Sequence, residues 1–379
     1  MDIYDSLLVW AKAQGIKLHG IEPHEIPNRG VGIVATKDLA PSTLILTVPT
    51  TSLRTLESVP SPLVKSYPPK DFTVHGLLAA TLTIDTDPTF NAWNAVIPTP
   101  CSLLSSLPLA WPPSLHPFLP PPALSLLQKQ LSKFSLDYST FLSASSSHKS
   151  IPRETYLYNW LLVNTRTFYH ETAKTRKLRL PRDDRMVLQP IADLFNHSST
   201  GCSVSFDESQ FTISTDRAYA EGEEVVICYG RHGNDFLLVE YGFVFDGNKW
   251  DEVGLDEIIL PELTARQKEE LDELGFLGKY LLDAEEVCYR TQVALRAICL
   301  PSREWRRVAQ GEDDGEAHQE KVDDLLASML TKYVARIDDR LEKIRLLKEG
   351  EPCQRAMLSL RWLQIRRLVE RALERLTSQ

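Results

Sequence analysis

The chain has 379 residues, a net charge of −9, 43% hydrophobic and 25% charged residues. That is enough to bury two domains, and it gives no general affinity for nucleic acid or an acidic membrane. The six cysteines are scattered with no Cys-x-x-Cys pair, which argues against a zinc ribbon or a disulfide framework. No apolar run reaches the roughly 18 residues of a membrane span. The first residues lack the basic and apolar regions of a secretory or organelle signal, so the expectation is a cytoplasmic or nuclear protein.

Residues 5–14 carry Leu7, Leu8 and Trp10 before Gly15, a helix with a glycine stop. Residues 20–51 break into short extended runs. Val31, Ile33 and Ala35 alternate, as do Leu44, Leu46 and Val48, and the two runs suggest a hairpin. Sixteen of the 24 prolines lie between Pro41 and Pro122, with apolar helical pieces at 75–83 and 123–141. Proline cuts helices into short pieces with stiff joints. Leu, Trp and Phe stay abundant there, so the stretch reads as an inserted helical subdomain and not a linker.

Residues 156–170 return as a helix. Lys174, Arg176, Lys177, Arg179 and Arg182 then place five basic residues in nine, an exposed loop that is either solvated or docks an acidic partner. From Leu260 the period is helical. Val322, Leu326, Met329, Leu330, Tyr333, Ile337, Leu341 and Ile344 form one apolar stripe, preceded by an acidic loop at 312–316. An Arg-rich helix follows at 355–376. The breadth of the stripe favours a bundle within one chain, hence a monomer.

Two polar clusters stand out in apolar, strand-like sequence. Asp193, Asn196 and His197 form the first; Tyr229, Gly230, Asn234, Tyr241, Gly242 and Phe243 form the second. An unpaired buried polar group costs about 1–3 kcal/mol, so such residues point to a built site. Their order resembles the SET-domain protein methyltransferases, in the branch typified by the Rubisco large-subunit lysine methyltransferase. Upstream, Arg29, Gly30, Val31, Gly32 and Ile33 resemble that family's Gly-rich opening hairpin. Trp160 with Asn164 to Phe168 resembles the helix before its Asn-His element, and Trp93 with Ile97 and Pro98 also fits.

The resemblance implies an α+β fold: a β-rich SET core of small sheets with a pseudoknot that brings Asn196 to Tyr229. Residues 1–250 would be the catalytic domain, with a helical insertion over about 52–160. Residues 251–379 would be a helical domain that helps hold the protein substrate. It implies S-adenosyl-L-methionine as cofactor and a folded non-histone protein as substrate, ribosomal or translation-related proteins being the family habit, with no nucleic acid or membrane partner. Tyr229 would be the catalytic phenol. Arg29, Gly30, Val31, Arg166, Asp193, Asn196, His197, Tyr229 and Tyr241 would bind cofactor, and Ile227, Tyr241 and Phe243 would line the substrate channel. Where the family often has an acidic residue, this chain has Arg29.

The chemistry suits these residue types. Methyl transfer from a sulfonium to an amine needs alignment, exclusion of water and a neutral amine. Alignment is worth roughly 7–11 kcal/mol in favourable cases. Arg166 is a strong donor to a cofactor carboxylate. Asp193 is placed to support Asn196 or Arg166. Asn196 offers both donor and acceptor, and His197 is not expected to act as a base. Val225, Val226 and Ile227 read as a strand holding Tyr229, with Tyr241 and Phe243 at a strand end. Asp193 and His197 have no third ligand nearby in sequence, so no metal is expected. Cys228 with His232 has poor geometry for a thiol–imidazole pair, and Gly30-x-Gly32 is too short for a dinucleotide fingerprint. A protein-histidine methyltransferase and a non-catalytic SET-like binding module remain as alternatives.

Overall fold

The computed structural model describes residues 2–67 and 73–378, and the chain divides into two compact units. The first comprises residues 1–110 and 128–231, the second residues 111–127 and 232–379. Among the described residues no helix is long and apolar enough to cross a membrane.

The first unit opens with helix Ile3–Ala13, capped by the Asp2 side chain, with Gly15 at φ 77° beyond its end. Among the described residues nine strands follow: β1 (Lys17–Leu18), β2 (Ile21–Ile26), β3 (Gly30–Ala35), β4 (Leu44–Pro49), β5 (Thr167–Tyr169), β6 (Met186–Leu188), β7 (His197–Phe206), β8 (Gln210–Ser214) and β9 (Glu224–Val225). They form sheets in the orders β1-β4-β8-β7, β2-β3-β9 and β5-β6.

The hairpin expected between β3 and β4 is not formed. β3 pairs with β2 through a turn in which Asn28 and Gly30 take positive φ, and β4 pairs with β1 and β8. Alternation reports which face of a strand is buried and says nothing of its neighbour. Residues 36–43 carry the chain from one sheet to the other, with Leu39 bridged to Tyr219 on the way.

The proline-rich stretch is helical in pieces, as expected; residues 68–72 of it lie outside the described residues. Helix Val74–Ile84 starts at Thr73, whose Oγ1 accepts from the Gly76 amide at 2.8 Å. It is buried from Val74 through Thr81. Asp137 fastens this region to helix Arg153–Arg166, accepting from Thr73 Oγ1 at 2.6 Å and Trp160 Nε1 at 2.8 Å. His75 Nε2 donates to the Trp160 carbonyl at 2.9 Å, and its ring stacks on the Trp160 indole at 4.1 Å. The helix expected over 156–170 ends at Arg166, because Thr167 turns extended and opens β5. The basic stretch 174–182 is exposed for the most part. It includes a short helix, Ala173–Lys177, fixed by a Thr172–Thr175 capping box.

β9 is followed by a threaded crossing. The Ile227 amide donates to the Asn196 carbonyl at 3.0 Å, and the Cys202 amide donates to the Val226 carbonyl at 2.9 Å. Ile227 is bridged in parallel to both His197 and Cys202, so residues 226–227 pass between the head of β7 and its Cys202 position. Gly201 makes room for the passage: a Cβ there would lie 2.6 Å from the Val226 carbonyl oxygen.

The second unit holds helix Asn234–Tyr241, a small pairing of β10 (Val253–Gly254) with β11 (Leu281–Leu282), and a helical remainder. Helix Gln319–Leu346 buries Val322, Leu326, Met329, Leu330, Tyr333, Ile337 and Ile344, most of the expected stripe. A short connection turns it back against helix Pro352–Thr377, which buries Leu358, Trp362 and Ile365. Arg361 is fully buried there. It donates to Asp235 at 2.7 Å, to Asp251 at 2.8 Å and to the Glu252 carbonyl at 3.1 Å. Asn234 joins the same cluster, donating through its amide to Asp251 at 2.9 Å and through its side chain to Gln364 at 3.0 Å.

Candidate active site

Several pieces of the first unit meet around the crossing. Helix Arg153–Arg166 delivers Arg166 at its last turn, and the β5–β6 pair turns the chain back toward Asp193. Fully buried Ile191 takes φ 76° and ψ −51°, a strained γ-turn conformation for a β-branched residue. That turn leads into the short 3₁₀ segment Ala192–Leu194. Arg166 Nη1 donates to the Asp193 carbonyl at 2.8 Å and to its Oδ2 at 3.1 Å. Trp93, in the short helix Asn91–Asn94, donates to the same Oδ2 at 3.0 Å. Burial pushes the Asp193 carboxyl up, against the pull of Arg166 and Trp93. Asp193 Oδ1 and Arg166 Nε are buried with no hydrogen-bond partner among the described residues.

Asn196 and His197 stand at the head of β7. The Tyr229 amide donates to His197 Nδ1 at 3.0 Å, so that nitrogen is unprotonated and the imidazole is held as an acceptor. Its ring centroid lies 5.0 Å from that of Tyr229. The Tyr229 hydroxyl donates to the carbonyl of buried Phe195 at 2.7 Å. Burial pushes the phenol up to about 12; Asp193 and Glu224 act in the same direction, and Arg166 and Arg29 oppose. The phenol therefore keeps its proton at neutral pH.

Arg29, from the β2–β3 turn, pairs with Glu224 of β9 at 2.5 Å and donates to the His197 carbonyl at 2.9 Å. Glu224 in turn accepts from Asn196 Nδ2 at 2.8 Å. Gly30 and Val31 sit opposite Ile26 and Glu25 in the hairpin. Ile227 is buried at the crossing.

Two sequence expectations about local structure are corrected. The strand expected over 225–227 is only β9, two residues long. Ile227 is held instead by the two isolated bridges, to His197 and to Cys202, one on either side of it. Tyr241 and Phe243 were expected at a strand end, but Tyr241 ends helix Asn234–Tyr241 and Gly242 caps it at φ 81°. Their rings are 6.3 Å apart within the second unit. Arg166 Nη1 is bonded to Asp193, one of the two partners expected for that aspartate; burial of the carboxylate demands a partner. Glu224 was missed. Its signal was an acidic residue directly before an apolar run, with the unusual Arg29 as its complement.

A profile of the SET domain matches residues 30–230, and a profile described as the ribosomal lysine N-methyltransferase 2 C-terminal domain matches residues 251–375. The chain is 26% identical over 369 residues to ribosomal lysine N-methyltransferase set11 of Schizosaccharomyces pombe, covering 91% of each protein. It is 29% identical over 235 residues to ribosomal lysine N-methyltransferase 2 of Saccharomyces cerevisiae, covering 54% of this chain and 47% of that one. Among solved structures it is similar in fold to the SET domain of LSMT bound to methyllysine and AdoHcy. The TM-score is 0.66 at 15% identity, over 100% of this chain and 92% of that one.

Proposed function

The chain belongs to the SET-domain family, and from that premise we propose that it is an S-adenosylmethionine-dependent protein-lysine N-methyltransferase acting on a folded ribosomal protein. The observation that carries the proposal is the threaded crossing. It brings Asn196, His197 and Tyr229 together and sets the Arg166–Asp193 pair beside them.

The residues present fit this cofactor. Arg166 Nε is a buried donor with no partner among the described residues, and a guanidinium edge matches a carboxylate. Asn196 has one amide hydrogen given to Glu224 and keeps its carbonyl oxygen as an acceptor for an ammonium. Gly30 and Val31 offer backbone groups. S-adenosylmethionine, when bound, supplies a methyl group on a sulfonium for in-line displacement by a neutral amine.

The chain's own residues supply the rest. A lysine titrates near 10.4, so losing its proton at pH 7 costs roughly 4–5 kcal/mol. A buried setting disfavours the ammonium and offsets part of that cost. Tyr229 gives its only hydroxyl hydrogen to the Phe195 carbonyl, and a phenol oxygen that donates once still has lone pairs for accepting. An amine N–H directed at that oxygen turns the nitrogen lone pair toward the methyl group. His197, with Nδ1 occupied by the Tyr229 amide, holds the phenol's backbone in place and takes no proton there.

The test is incubation of the purified protein with methyl-labelled S-adenosylmethionine and a ribosomal protein fraction, with tandem mass spectrometry of the products. Label on a lysine ε-amine supports the proposal. Absence of transfer, or label confined to histidine, overturns it.

A further inference from the structure

We propose that Glu224 is a positioning residue that fixes the orientation of the Asn196 amide and thereby sets cofactor affinity. The inference rests on the reading of Asn196 as a cofactor contact. An ionised carboxylate only accepts hydrogen bonds, so the 2.8 Å contact from Asn196 to Glu224 Oε1 assigns the amide without ambiguity. The NH₂ faces Glu224 and the carbonyl oxygen faces away from it. Glu224 is itself held. Its second oxygen accepts from Arg29 Nη1 at 2.5 Å, and Arg29 Nη2 donates to the His197 carbonyl at 2.9 Å.

The network joins three elements: the β2–β3 turn through Arg29, β9 through Glu224, and the head of β7 through Asn196 and His197. β3 closes it from below. A Cβ on Gly32 would lie 2.8 Å from Asn196 Nδ2 and 3.1 Å from Glu224 Oε1, so the pair packs directly on the glycine backbone.

Without the carboxylate, the Asn196 side chain is free among three χ1 wells and two amide faces, about six states. An affinity that depends on one of them falls by the same factor, about sixfold. The ion pair to Arg29 adds little by itself, because Arg29 is 41% exposed. The acceptor toward Asn196 is the part that matters.

The experiment titrates S-adenosylhomocysteine calorimetrically into wild type, Asn196→Ala, Glu224→Met and Glu224→Gln, and measures kcat and the KM for S-adenosylmethionine. Methionine keeps the stem against β3 and removes both acceptors; glutamine keeps one carbonyl for Asn196. We expect Glu224→Met to raise both Kd and KM about sixfold with less than a twofold change in kcat, and Glu224→Gln to return both constants to within twofold of wild type. A merely structural glutamate would not give that split or that rescue. Wild-type affinity in folded Glu224→Met, a loss confined to kcat, or Glu224→Gln as weak as the methionine variant overturns the inference. Should Glu224→Met not fold, Glu224→Leu takes its place under the same criteria. Unchanged affinity in Asn196→Ala refutes the cofactor reading of Asn196 itself, and the two failures are thereby told apart.

Discussion

Replacing Arg361 by methionine tests the buried charge cluster of the second unit. Methionine keeps an apolar stem of similar length and removes the guanidinium. Asp235 then loses its ion-pair partner. Asp251 keeps the two donors of Asn234, and the Glu252 carbonyl loses one bond. The side chains of Asp235 and Asp251 are only 11% and 8% exposed, so neither carboxylate recovers full hydration. Breaking a buried pair in this way costs about 3–5 kcal/mol. The bonds Asp251 retains place the expected loss at the lower end, about 3 kcal/mol at pH 7. Burial already raises the Asp235 carboxyl against the pull of Arg361, and removing the arginine raises it further. A carboxyl raised in the folded state binds its proton more readily there than in the unfolded chain, so acid stabilises the variant relative to wild type. The deficit therefore shrinks between pH 7 and pH 5. Urea denaturation at both pH values measures it, with the transition of residues 232–378 followed separately because two compact units need not unfold together. Asp235→Asn in the same background restores about 1–2 kcal/mol by removing the unpaired charge. A loss under 1 kcal/mol at pH 7, or a deficit that grows in acid, refutes the reasoning.

Gly201→Ala pushes a methyl into the Val226–Ile227 backbone; we expect a loss of about 1–3 kcal/mol or more and weakened cofactor binding, read by thermal melting and calorimetry. His75 is held neutral, its pKa driven well below 6.5 by burial. Stability from this residue is full above about 6.5 and is lost as pH falls toward its folded value, at up to about 1.4 kcal/mol per pH unit. His75→Phe, which keeps a ring against Trp160, flattens that slope in denaturation curves. With the Tyr229 phenol pushed up to about 12, the rate profile shows no alkaline fall from this group below about pH 11, which a pH series of kcat checks.

Much of the candidate site was legible because polar residues in apolar runs need partners. Asp193, Asn196, His197 and Tyr229 stood out for that reason, and the threaded crossing gives them their contacts. The long stripe of helix Gln319–Leu346 was legible because one face is buried along nearly its whole length. Helix Asn234–Tyr241 was not: it is buried on several sides, so no helical period survives in its apolar residues and its content reads as a strand. The partner of β3 was hidden because alternation carries no register between strands. Arg361 lay among surface arginines in sequence, and only the fold reveals that two aspartates, 126 and 110 residues away, meet it. The Arg29–Glu224 pair spans 195 residues and was equally out of reach of local patterns.

Steady-state methylation by Tyr229→Phe tests the central claim most directly, with thermal melting as its control. The substitution removes one hydroxyl and leaves the Phe195 carbonyl without its 2.7 Å donor, so a drop of a few degrees in Tm accompanies it. We expect kcat to fall at least about a hundredfold, equivalent to ~2.7 kcal/mol of transition-state stabilisation, with cofactor affinity within a few-fold of wild type. Near-normal kcat in the folded Tyr229→Phe protein would contradict the assignment of this phenol to the methyl-transfer step.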